Sequence, residues 1–169
     1  VNPVIFASQG SSSIPLVNKF TCSENHLTSM IRSLKRRNLL PILDYTNENF
    51  RNHKNNFNKI SQLIRYHPNN LIAVKLSSLD ITNNRKQSED YLHKLTELAI
   101  DNNSKILIDA ENYIIQDEIN DISYQFMKEY NCEKVIIYKT YQMYRKDSLN
   151  ILKNDLLQPK NFFIGCKLV

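Results

Sequence analysis

Five short apolar runs recur along the chain, separated by longer stretches in which apolar and polar positions alternate with a helical period. The runs are "LLPILDY" (39–45), "NLIAVKLSSL" (70–79), "KILIDAE" (105–111), "KVIIYKTYQMY" (134–144) and "FFIGCKLV" (162–169). Each is rich in Ile, Val, Leu or aromatic residues, the composition of a buried strand. Their starts lie roughly thirty residues apart, the length of a strand–helix–strand unit.

The intervening segments predict amphipathic helices. One face collects Phe50, Phe57, Ile60, Leu63 and Ile64; the next collects Tyr91, Leu92, Leu95, Leu98 and Ala99. A third collects Ile119, Ile122, Phe126 and Tyr130, and a fourth Leu149, Leu152 and Leu156. An earlier helix, about Ser23 to Asn38, has Ser23 as its expected N-cap and a basic end that suits the helix dipole. The order is therefore α, then βα four times, then β, which specifies an α/β fold. A doubly wound sheet and the first five strands of a (β/α)8 barrel both satisfy it. Residues 1–18, serine-rich and poor in charge, read as a loose lead-in to a domain over 19–169.

The strand exits separate the two architectures. A doubly wound nucleotide binder needs a glycine-rich first turn, and neither Gly10 nor Gly165 follows the first strand. Polar residues stand there instead: Asp44, Lys75 with Ser77, Asp109 with Glu111, and Gln142 with Tyr144. Side chains alternate along a strand, so each pair is expected to share a face; if inward, the groups converge at a barrel mouth. Plainer roles compete. Asp44 and Asp109 could cap helices, Lys75 could snorkel to the rim, and Gln142 and Tyr144 could be strand-end packing.

Composition narrows the classes. The chain is 41% hydrophobic with a net charge of +5. It has no apolar run long enough for a transmembrane helix. Cys22, Cys132 and Cys166 are odd in number and far apart, which fits a reducing compartment better than a disulfide framework. The four histidines lack metal-ligand spacing, so no metal site is expected. Basic residues outside "KRR" (35–37) interleave with acids, without the stacking aromatics of a nucleic-acid surface.

The blocks "LPILDYTNE", "AVKLSSL", "ILIDAEN", "IIYKTYQMYRKD" and "FFIGCKLV" resemble, in this order and spacing, those of the proline dehydrogenases, flavoenzymes built on a distorted (β/α)8 barrel. "FTCSENH" is similar to that family's F-x-A-G-E lead-in. The resemblance spans residues 19 to 169, and the T-Y-Q-x-Y form looks like the mitochondrial members. It implies that Lys75 lies near flavin and substrate, and that Asp109 faces the substrate and helps hold Lys75. It further implies that Gln142 hydrogen-bonds the flavin ring, and that Glu48 gates the substrate pocket, with Asp44 its neighbour. Glu111 receives no role.

The implied reaction is oxidation of L-proline to pyrroline-5-carboxylate with FAD as cofactor. Electrons would pass on to a quinone, with peripheral membrane association. The implied location is mitochondrial, on the matrix side of the inner membrane, in a eukaryote, and cytoplasmic or peripheral to the membrane otherwise. The family continues beyond "KLV" with R-G-A-Y and three more strands, so this chain is expected to be a fragment, inactive alone. Two alternatives from other classes are a barrel lyase using Lys75 or Lys139 as a Schiff base, and a non-catalytic interaction module.

Overall fold

The computed structural model describes residues 4–7, 21–45, 52–157 and 161–169. All five expected strands form: β3 (Ile42–Tyr45), β4 (Leu71–Val74), β5 (Lys105–Ile108), β6 (Ile137–Tyr141) and β7 (Cys166–Leu168). Two more precede them, β1 (Val4–Ala7) and β2 (Thr21–Cys22). The lead-in is thus not wholly loose, because Val4–Ala7 pair along β3, with Phe6 opposite Asp44. The sheet is parallel throughout, in the order β2-β1-β3-β4-β5-β6-β7.

That order decides the architecture. From β3 onward each strand lies beside its successor, and right-handed crossovers in one direction place every intervening helix on the same side. The helices are α1 (Glu24–Arg36), α2 (His53–Tyr66), α3 (Arg85–Asp101), α4 (Tyr113–Tyr130) and α5 (Ser148–Leu157). One continuous core joins Leu27 and Ile31 of α1, Ile60 and Ile64 of α2, Leu92 and Leu95 of α3, and Ile119 and Phe126 of α4. These pack on Leu43, Ile72, Val74, Ile106, Ile108 and Ile137 of the sheet. The opposite sheet face carries a small separate cluster, Ile42, Ala73 and Leu107, with Leu71 and Tyr138 against it. A sheet clad by helices on one face, with strands in sequential order, is an arc of a (β/α)8 barrel rather than a doubly wound sheet.

With two glycines in the chain, asparagine handles much of the helix punctuation. Asn52, Asn84 and Asn112 cap α2, α3 and α4, each side chain accepting a backbone N–H. Asn38 and Asn103 take the left-handed conformation after α1 and α3, the role usually given to glycine. Ser23 is the N-cap of α1 by position, but its hydroxyl meets His26 Nδ1 at 2.8 Å rather than a backbone N–H.

Two local features fix the β6–β7 end. Asn131, fully buried, accepts from the N–H groups of Ile136 and Ile137 and donates to the carbonyls of Ile137 and Phe163. It therefore aligns the entries of both strands. Gly165 lies so close to β6 that a Cβ would strike the Ile137 carbonyl oxygen and approach Val135 Cγ1 to 2.7 Å.

Helix α5 departs from expectation. Leu149 and Leu156, predicted to face the sheet, are exposed. The face toward the sheet instead carries Ser148, bonded to the Gln142 carbonyl, and Asp155, which accepts from Lys139 Nζ at 2.8 Å and the Tyr141 hydroxyl at 2.7 Å. The docking face is rotated by about one residue because this helix is held by a polar clamp instead of its leucines.

Candidate active site

Alternation along each strand builds the site. Ile42, Ala73, Leu107 and Tyr138 belong to the small cluster on the face away from the helices. Two residues further on, on the same face, stand Asp44, Lys75, Asp109 and Thr140. Lys167 joins them from β7, where it is in register with Thr140. An apolar floor thus carries a polar layer at the C-terminal ends of the strands, where barrel enzymes do their chemistry.

The layer is organised as two ion pairs. Lys75 Nζ lies 3.1 Å from Asp44 Oδ2. Lys167 Nζ lies 2.8 Å from Asp109 Oδ1, to which the Thr140 hydroxyl also points at 3.4 Å. Asp44 is the more deeply buried carboxylate, with 3% of its side chain exposed against 17% for Asp109. Burial pushes the Asp44 carboxyl above its ordinary range. The Lys75 ammonium draws it back down, Asp109 adds to the rise, and Lys167 opposes it. These four groups are one electrostatic unit, since burying any charge without its partner is far costlier than burying the set.

Lys75 and Asp109 are lateral neighbours, one step past the Val74–Ile108 pairing. The expected partnership between them is nonetheless replaced: Lys75 is held by Asp44, and Asp109 by Lys167. Neither aspartate caps a helix, since Asn52 and Asn112 fill those positions. Gln142 lies at the β6 exit, where its Nε2 donates to the Glu111 carbonyl at 2.9 Å. Glu48 lies outside the described residues. Tyr144 is not placed by strand alternation with Gln142. β6 ends at Tyr141, the chain turns, and the Tyr144 ring is exposed. Alternation holds only as far as the backbone stays extended.

Lys139 sits on the other side of the sheet. Its side chain is 3% exposed, paired with Asp155 and 4.8 Å from the Tyr141 ring. Burial and the Asp155 carboxylate together push the Tyr141 phenol far up, keeping it a proton donor to that carboxylate. This network ties β6 to α5 and faces away from the polar layer, so the Schiff-base role for Lys139 has no structural support.

The sequence alone signals neither Lys167 nor a role for Glu111. Lys167 is a lysine in an apolar run, and its inward direction depends on the β6–β7 register. The role of Glu111 depends on Ser77, whose N–H its carboxylate accepts across the β4 exit. Beside the polar layer, Glu111, Asn112, Gln142, Tyr144 and Arg145 line part of an open cleft of about 790 Å³. Among the described residues, no cluster of His, Cys, Asp and Glu is placed to hold a metal ion, and no helix is long and apolar enough to cross a membrane.

A family model described as "Proline dehydrogenase" matches residues 27–169. The chain belongs to the proline dehydrogenase family. Among its curated relatives, "Proline dehydrogenase 1, mitochondrial" of Drosophila melanogaster is 36% identical over 80 residues, 46% of this chain and 12% of that protein. The Dictyostelium discoideum protein of the same name is 36% identical over 88 residues, 50% of this chain and 15% of its own. The matches therefore take in less than a fifth of these relatives' length. Among solved structures, proline utilization A (PutA) from Bdellovibrio bacteriovorus, inactivated by N-propargylglycine, aligns over 84% of this chain and 19% of its own. The TM-score is 0.70 and the identity 15%. That likeness concerns the fold, and it agrees with the barrel arc deduced from strand order.

Proposed function

We propose that this chain supplies the first part of the catalytic barrel of a proline dehydrogenase, which oxidises L-proline to pyrroline-5-carboxylate. The observation that carries the proposal is the layer at the strand exits. Lys75, Asp109 and Gln142, the residues singled out by the family motifs, stand at one end of one sheet, above an apolar floor.

The donor set suits a flavin and a zwitterionic substrate. FAD, when bound, supplies the two-electron acceptor. Lys75, with three donors of which one engages Asp44, retains capacity to neutralise negative charge beside it. The Gln142 carboxamide, oriented by Glu111, offers hydrogen-bonding groups to a ring edge. Asp109, steadied by Lys167 and Thr140, presents a carboxylate to a cationic amine. The apolar floor beneath limits water, which strengthens each of these interactions. Glu48 as substrate gate, a quinone as electron acceptor, peripheral membrane association and a mitochondrial, matrix-side location complete the proposal. The relatives' names support the mitochondrial part of that location.

The test is steady-state oxidation of L-proline by the full-length, FAD-loaded protein with a soluble quinone analogue as acceptor. Proline-dependent formation of pyrroline-5-carboxylate is expected. Absence of product with a correctly loaded flavin would reject the proposal.

A further inference from the structure

We infer that Glu111 is the positioning residue that couples the β4 exit, and so Lys75, to the β6 exit, and so Gln142. The inference rests on the reading of those two residues as site residues and extends it to a residue with no chemistry of its own.

All three polar groups of Glu111 are engaged, each with a different partner. Its Oε1 accepts the Ser77 N–H at 3.0 Å. Its carbonyl accepts Gln142 Nε2 at 2.9 Å. Its own N–H donates to Gln116 Oε1 at 2.8 Å, and the buried Gln116 is anchored in turn on Asn120. The carboxylate thus works from a backbone that is itself fixed.

Ser77 matters because of where it lies. A 3₁₀ turn, Leu76–Leu79, begins directly after Lys75, and no side chain of the flanking residue caps it. The first N–H groups of such a turn have no acceptor within it. Glu111 reaches across from the β5 exit and supplies one, and a carboxylate acceptor makes the bond stronger than a neutral one. The turn is also closed onto Lys75 by the Ser78 hydroxyl, 2.6 Å from the Lys75 carbonyl. From the other side, His53 Nδ1 and Asn56 Nδ2 both approach the Ser78 carbonyl. The backbone of Lys75 is therefore held between α2 and Glu111.

At the other end, the Gln142 carboxamide has its nitrogen fixed by Glu111, while its main-chain carbonyl is fixed by Ser148 of α5. Glu111 is the shared link, and removing its side chain frees the turn beside Lys75 while leaving both ion pairs of the polar layer intact.

The experiment compares Glu111→Ala, Glu111→Gln and Glu111→Asp in the full-length, FAD-loaded protein. Glutamine keeps an acceptor of the same reach and should remain within about threefold of the parent in kcat/KM for proline. Alanine should lose roughly ten- to a hundredfold, the scale of a small misplacement of reacting groups. Aspartate, shorter by one methylene, should fall between. Hydrogen exchange at the Ser77 amide supplies a readout independent of turnover: protected in the parent and Glu111→Gln, fast in Glu111→Ala. A parent that fails to oxidise proline removes the proposed function, while the exchange result still judges the link. Parental Ser77 protection in Glu111→Ala overturns the inference. If Glu111→Ala does not fold, parental kcat/KM and Ser77 protection in Glu111→Asp overturn it equally.

Discussion

Burial raises the Asp44 carboxyl despite the Lys75 ammonium 3.1 Å away, and this sets a pH dependence. A carboxyl whose folded pKa exceeds its unfolded value binds more protons in the native state, so its contribution to stability falls as pH rises. That contribution is complete below the ordinary value of 3.8 and lost as pH climbs through the elevated folded value. Urea denaturation across this window should show the loss, and Asp44→Asn, which cannot ionise, should flatten that part of the profile. Lys167 poses the complementary case. Lys167→Met leaves the Asp109 carboxylate without its cation in a half-closed site. The expected result is a fall of about tenfold or more in kcat/KM for proline, since truncating one partner of a partly buried pair leaves the other without its countercharge. A parental kcat/KM in that variant would separate Lys167 from the site. Asp44, Lys75, Asp109 and Gln142 were all visible in the sequence, because each ends an apolar run. The partners were not: which cation faces which carboxylate depends on neighbouring strands, and side-chain alternation within one strand says nothing of its neighbour's register.

Among the elements, β6 and β7 depend most on single residues. Asn131 satisfies two backbone N–H groups and two carbonyls at the strand entries. Asn131→Ala strands these buried groups, at about 1–3 kcal/mol each where no water reaches them. A loss of roughly 3 kcal/mol or more in denaturant unfolding is expected. Gly165→Ala must push β7 off the Ile137 carbonyl, because the obstacle is backbone and cannot rotate away. A cost of about 1–3 kcal/mol is expected for such overpacking. Strand positions were legible from the apolar runs, α2 to α4 from their stripes, and α1 from its N-cap position and basic end. Helix α5 was legible as a helix but not in its orientation, since the Lys139–Asp155–Tyr141 clamp leaves Leu149 and Leu156 exposed although their period alone suggested a buried face. β1 was missed because "VIFA" is short and stands apart from the thirty-residue rhythm of the other strands.

At the scale of the molecule, sequential parallel strands with helices on one face curve into a barrel arc, and that curvature brings separate strand exits together. The rhythm of the runs left two architectures open; the strand exits, polar and without a glycine-rich first turn, favoured the barrel, and the strand order agrees. The account's central claim is that this gathered polar layer handles proline beside a flavin. Anaerobic titration of the full-length, FAD-loaded protein with L-proline, followed by flavin absorbance, tests it most directly. The account predicts bleaching of the oxidised flavin band by the parent, slowed about a hundredfold in Lys75→Met, which keeps the side chain's bulk but removes its charge. An oxidised spectrum that persists in the parent at saturating proline would contradict it.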